Sequence, residues 1–121
     1  MKSAENTAAV KSKAFALRIV KLYRFLCDEK QEYILSKQLL RCGTSIGANL
    51  AEAEFAISRS DFSSKVYIAL KECGETIFWL DLLRDSEYLT DSEYESIIQD
   101  ARELLRMLQA TSKTLKSKET L

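Results

Sequence analysis

Apolar residues return every three or four positions in four separate stretches of this chain, and that period belongs to the α-helix. Phe15, Ile19, Leu22 and Leu26 share a face in the first stretch, which predicts a helix from Ala14 to about Asp28. Leu39, Gly43, Ile46, Leu50, Ala53 and Ile57 do the same in the second, from about Ser36, a residue suited to capping, to Ile57. Phe62, Val66, Ala69, Cys73, Thr76, Leu80 and Leu83 form a third seam ending near Arg84, with Leu70, Ile77 and Trp79 widening it. Ser58 and Asp61 stand three apart at its start like a short capping box. The clearest start is Thr90-Asp91-Ser92-Glu93, a capping box before Tyr94, Ile97, Ile98, Ala101, Leu104, Leu105, Leu108 and Leu115. The final SKTLKSKETL is expected to fray. With no proline and three glycines in 121 residues, turn punctuation is too scarce for a many-stranded sheet. The expected fold is all-α, an antiparallel up-and-down four-helix bundle. It forms a single domain over residues 1–121, with an ordered core at about 11–115.

The run RCGTSIGANLAEA, from Arg41 to Ala53, demands a reason of its own. Glycine inside a helix costs about 0.5–1 kcal/mol relative to alanine, and Gly43 and Gly47 lie four apart on one face. Missing side chains there let another backbone come close. The neighbour is open at this stage: a second helix of the same bundle, a second subunit, or a ligand. Ser45, Asn49 and Glu52 are polar residues within this packing motif, where a hydrogen bond would fix register. Trp79, beside Phe78 and Leu80, reads as packing within the core or between subunits.

Candidate chemistry is sparse. Histidine is absent, and there is no nucleophile elbow, phosphate-cradling glycine loop or metal-ligand cluster. Glu72 and Glu75 share a helix face but lack an electrophile or metal beside them. No catalytic residue, metal site or cofactor is predicted, and the chain is not expected to be an enzyme. Cys27, Cys42 and Cys73 are odd in number and widely spaced, which points to reduced core residues of a cytoplasmic protein. No signal-like segment or membrane-length apolar run is present.

Net charge is zero, but its distribution is uneven. Residues 1–30 carry seven Lys and Arg against three Asp and Glu, whereas residues 66–110 carry four against ten. Lys11, Lys13, Arg18, Lys21 and Arg24 stripe the first helix, and Lys37 and Arg41 extend the stripe onto the second. These seven are the candidate nucleic-acid-binding residues, because several cations at helical spacing can displace counterions from a phosphate backbone. No aromatic residue is expected to be exposed for base stacking, so binding would follow charge and shape.

The blocks KSKAFALRIVKLYRFL from Lys11 and SKQLLRCGTSIGANLAEAEFAISRSDFSSKVYIALKECGETIFWLDLL from Ser36 resemble a known family. It comprises four-helix-bundle proteins encoded by intervening sequences within bacterial 23S ribosomal RNA genes. The chain also looks like the related accessory variability proteins of diversity-generating retroelements. The resemblance spans about Lys11 to Leu108. It implies a bundle that assembles into a ring, typically a homopentamer, and binds RNA or DNA through basic residues. In the retroelement branch the partner is a reverse transcriptase. This chain's zero net charge departs from the more basic members. Two functions are therefore expected: a non-enzymatic, oligomeric nucleic-acid accessory protein, or a protein–protein adaptor whose partner meets the acidic third or fourth helix.

Overall fold

The computed structural model describes residues 7–119. Four helices account for most of it: α1 (Ala8–Lys30), α2 (Leu35–Ala53), α3 (Arg59–Asp85) and α4 (Asp91–Glu119). They pack round a square, α1 on α2, α2 on α3, α3 on α4 and α4 back on α1. Every seam is antiparallel. Arg41 of α2 meets Glu72 and Glu75 of α3, while later in α2 Glu52 meets the earlier Lys65. The all-α four-helix bundle expected from periodicity is the observed fold.

The core is the set of inward stripes. Phe15, Ile19 and Leu26 of α1 meet Leu39, Ile46 and Leu50 of α2, Val66, Leu80 and Leu83 of α3, and Tyr94, Ile98, Leu104 and Leu108 of α4. Cys42 and Cys73 are buried and free, and Cys27 is half-buried and free. Burial pushes the Cys73 thiol up to about 12, with Cys42 beside it adding to the effect. A thiol so held stays protonated and behaves as a small apolar residue.

The α1–α2 seam is where the glycines act. A Cβ on Gly43 would lie 2.9 Å from two side-chain carbons of Ile19, and one on Gly47 would lie 3.2 Å from Ser12 Oγ. Of the three neighbours left open by the sequence, the one present is a helix of the same bundle. Gly74 is different: it is exposed in mid-α3, and a Cβ there would meet nothing within 4 Å.

Helix ends correct two expectations. Ser36 is not the cap of α2, since it lies inside the helix, buried. The capping group is Glu32, placed by a left-handed turn at Gln31 (φ 51°). Its carboxylate accepts from the backbone N–H groups of Ile34 (3.2 Å), Leu35 (2.8 Å) and Ser36 (2.7 Å). Nor does α2 reach Ile57. It stops at Ala53, and Ile57 is 94% exposed rather than on the inner seam. The reason is local, because Ser58 Oγ accepts from Asp61 N–H (2.9 Å) while the Asp61 carboxylate accepts from Ile57 N–H (3.2 Å). That pair starts α3 and turns Ile57 outward, leaving Phe62 at the edge and 38% exposed. Helix α4 runs through Glu119, with Ser112 buried and Leu115 against the core, and residues 120 and 121 of the stretch expected to fray lie outside the described residues. The box at Thr90 forms as expected: Thr90 N–H donates to Glu93 Oε1 (2.9 Å), and Glu93 N–H donates to Thr90 Oγ1 (3.1 Å).

Two predictions follow from these ends and seams. Gly43→Ala should destabilise the protein by about 1–3 kcal/mol through overpacking against Ile19. Gly74→Ala should stabilise it by about 0.5–1 kcal/mol, the ordinary helix gain in open space. Urea unfolding of both variants checks this, and the same sign for both would contradict it. Glu32 supplies a pH test. Burial opposes its charge, but the three backbone N–H donors outweigh that and hold its pKa below the usual carboxylate range. A depressed folded pKa means the stabilisation is complete at neutral pH. It fades as pH drops below about 4, the unfolded glutamate value, and through the folded one. Glu32→Gln should therefore lose about 1–2 kcal/mol at pH 7, and the gap to wild type should narrow steadily as pH falls below about 4. A gap independent of pH would show that the charge is not what caps α2.

Candidate nucleic-acid interface

The seven cations singled out in the sequence do not form one surface. Three are committed to holding the bundle. Lys11 Nζ lies 2.8 Å from Glu103 of α4. Arg18 donates to the Asp100 carboxylate (2.7 Å), the Ser96 hydroxyl (2.7 Å) and the Ser96 carbonyl (2.9 Å). Arg41 reaches across to α3, donating to Glu72 (3.2 Å) and to Glu75. Both α1 residues face α4 because they sit a quarter-turn from the core stripe of Phe15 and Ile19.

The other four stand apart. Lys13, Lys21, Arg24 and Lys37 are exposed and make no ion pair with another described residue. On α1 they alternate with exposed apolar side chains at helical spacing: Val10, Lys13, Leu17, Lys21, Arg24. Lys21, Arg24 and Lys37 gather toward the end where α1 runs into α2. Toward the opposite end lies a groove of about 510 Å³ between the same two helices. Ala9, Ala16, Gly47, Ala48 and Ala51 form its floor and walls, with Lys13 and Glu54 at its edges. The groove exists because the seam below it is made of small residues. Where Gly47 lets α1 close in, no long side chain remains to fill the surface above.

The packing-motif residues are placed as follows. Ser45 Oγ donates to the Arg41 carbonyl (2.7 Å) and Asn49 Nδ2 to the Ser45 carbonyl (2.8 Å), so both bond within α2. Glu52 pairs with Lys65 (3.0 Å). Trp79 Nε1 donates to Glu75 (2.9 Å), and its ring packs on the core with Phe78 edge-on at 5.0 Å. Phe78 itself is 57% exposed, Phe55 in the α2–α3 link is 82% exposed, and Tyr33 is 53% exposed. The expectation of no exposed aromatic residue is thus overturned. Phe55 stands just beyond the end of α2, and the only sequence signal for it was the Ser58–Asp61 restart that follows.

Among the described residues there is no cluster of three metal-ligating side chains, and no helix is long and apolar enough to cross a membrane. The polar contacts here are those of ion pairing and helix capping.

Comparison with known proteins adds the following. The family model for the 23S rRNA-intervening sequence protein matches residues 4–110. A crystal structure from Bacteroides thetaiotaomicron VPI-5482, described as a protein with unknown function from the S23 ribosomal protein family, is 52% identical. That match covers 90% of this chain and 97% of the other, with a TM-score of 0.87. A search of curated proteins finds no match.

The two classes of cation separate by stability. Arg18→Ala should lower unfolding free energy by up to about 1 kcal/mol, since the ion pair is partly exposed. Lys21→Ala should leave it within about 0.5 kcal/mol of wild type. Thermal melts of both variants at low salt decide it, and equal losses would erase the distinction.

Proposed function

We propose a function for this chain from the fact that it belongs to the 23S rRNA-intervening sequence protein family. On this reading it is a non-enzymatic, cytoplasmic accessory protein that self-associates and binds the phosphate backbone of RNA or DNA. The observation that carries the reading is the set of exposed cations on α1 and the start of α2 that make no ion pair with another described residue, Lys21, Arg24 and Lys37, with Lys13 further along. Exposed cations that form no ion pair with another described residue keep their attraction for phosphate, whereas Lys11, Arg18 and Arg41 have theirs absorbed within the bundle. Few contacts per chain make binding weak, and association of several copies would sum them into a multivalent surface. The resemblance to retroelement accessory proteins adds a reverse transcriptase as a candidate partner. The adaptor reading draws on the half-exposed Phe78 and Ile68 on the outward side of α3.

Fluorescence anisotropy with labelled structured RNA and duplex DNA tests the proposal. If three cations each release a counterion, affinity should fall roughly 40-fold between about 50 and 200 mM salt. The Lys21→Glu, Arg24→Glu, Lys37→Glu triple variant should lose binding and keep the wild-type melt. Retained affinity in that variant rejects the site. Absence of binding by wild type at the lower salt rejects the function in favour of the adaptor.

A further inference from the structure

The two most exposed apolar side chains with a shared loop are Phe55 (82%) and Ile57 (94%). They are held there. Phe55 N–H donates to the Glu52 carbonyl (3.0 Å), Ala56 N–H to the Ala53 carbonyl (3.2 Å), and Ile57 N–H to the Asp61 carboxylate (3.2 Å). Ser58 then caps α3. The bonded backbone holds the segment in place and both side chains stand in solvent, so the loop presents a preformed knob. On the same end of the chain the α1–α2 groove offers about 510 Å³ of mostly alanine-lined space.

We propose that the Phe55–Ile57 knob of one copy seats in the α1–α2 groove of a second copy of this chain. Charge selects this occupant over an unrelated apolar segment. The knob is bracketed by Glu54 before and Arg59 after, and the groove is edged by Lys13 and Glu54. Lys13, Glu54 and Arg59 make no ion pair with another described residue. Seating the knob sets Glu54 of one copy toward Lys13 of the other, and Arg59 toward the other copy's Glu54. Apolar surface is buried, and two pairs of opposite charge form at each contact. Knob and groove adjoin at Glu54 on each chain, and each copy gives one contact and receives one. The inference rests on the self-association in the reading above and names its contact. Lys21, Arg24 and Lys37 lie toward the far end of α1 and α2 and stay outside it.

Two variants test the contact. Phe55→Ser with Ile57→Ser removes the knob, at positions already in water. Ala48→Leu fills the groove at an exposed helix position where leucine is well tolerated. Light scattering coupled to size exclusion, on nucleic-acid-free protein at micromolar concentration, should give wild type a multiple of 13.8 kDa. Each variant should fall to the 13.8 kDa monomer and still melt cooperatively, at a temperature that no longer depends on protein concentration. Mixing the two variants should restore a one-to-one pair, because one keeps the groove and the other the knob. A wild-type monomer overturns both this contact and the self-association. A wild-type oligomer whose mass survives either variant, or monomers that fail to pair on mixing, overturns this contact alone. Nucleic-acid binding, measured separately, stands or falls independently.

Discussion

The close approach of α1 to α2 at Gly43 and Gly47 sets the shape of everything around it. Ile19 fills the notch over Gly43, and Ser12 rests against Gly47. Drawing α1 toward α2 leaves the opposite seam, α1 to α4, wider. There the contacts are made by long side chains, Lys11 to Glu103 and Arg18 to Asp100 and Ser96. The same small residues that close the seam on its inner edge leave its outer edge bare, which is the groove. One packing choice therefore produces a tight apolar seam, a charged seam facing it, and an unfilled surface above.

Charge neutrality of the chain hides this division. The cations of α1 that sit beside α4 are neutralised in place, and Arg41 is neutralised by two glutamates of α3. From Val10 to Arg24 the outward stripe of α1 mixes cations and apolar residues, with the acids Asp28 and Glu29 only at its end, while the acids of residues 66–110 lie beyond α1 and α2. A sum over the sequence reports none of it. Placement on a helix, and the identity of the helix opposite, decide which charges are spent on the fold and which face solvent.

Periodicity made the four helices and most of the core legible, because a buried stripe needs only its own helix to declare it. Leu39, Ile46 and Leu50 are buried as their spacing requires. Ile57 keeps the same arithmetic and fails, since the spacing says nothing about where the chain turns. The bonds between Asp61, Ser58 and Ile57 end the pattern before the period does. Ser36 misled for a related reason: its own type suits a cap, but Glu32 reaches forward from a left-handed turn that the sequence does not mark. The basic stripe was legible as a stripe and illegible as a site. Lys11 and Lys21 look alike in sequence, and only the neighbouring helix separates them.

On the proposed reading, the two ends of the α1–α2 face have separate tasks, and physics favours that separation. A groove that binds an apolar knob works chiefly by excluding water, so added salt weakens it only through the charge pairs at its rim. A cation set that binds phosphate works by releasing counterions, and salt weakens it steeply. If both tasks used the same residues, raising the salt would dissolve assembly and binding together. With Phe55, Ile57 and Ala48 at one end and Lys21, Arg24 and Lys37 at the other, assembly persists while nucleic acid comes and goes. The salt dependence of binding then counts the cations that several copies bring to one backbone, with each copy adding its three to the slope.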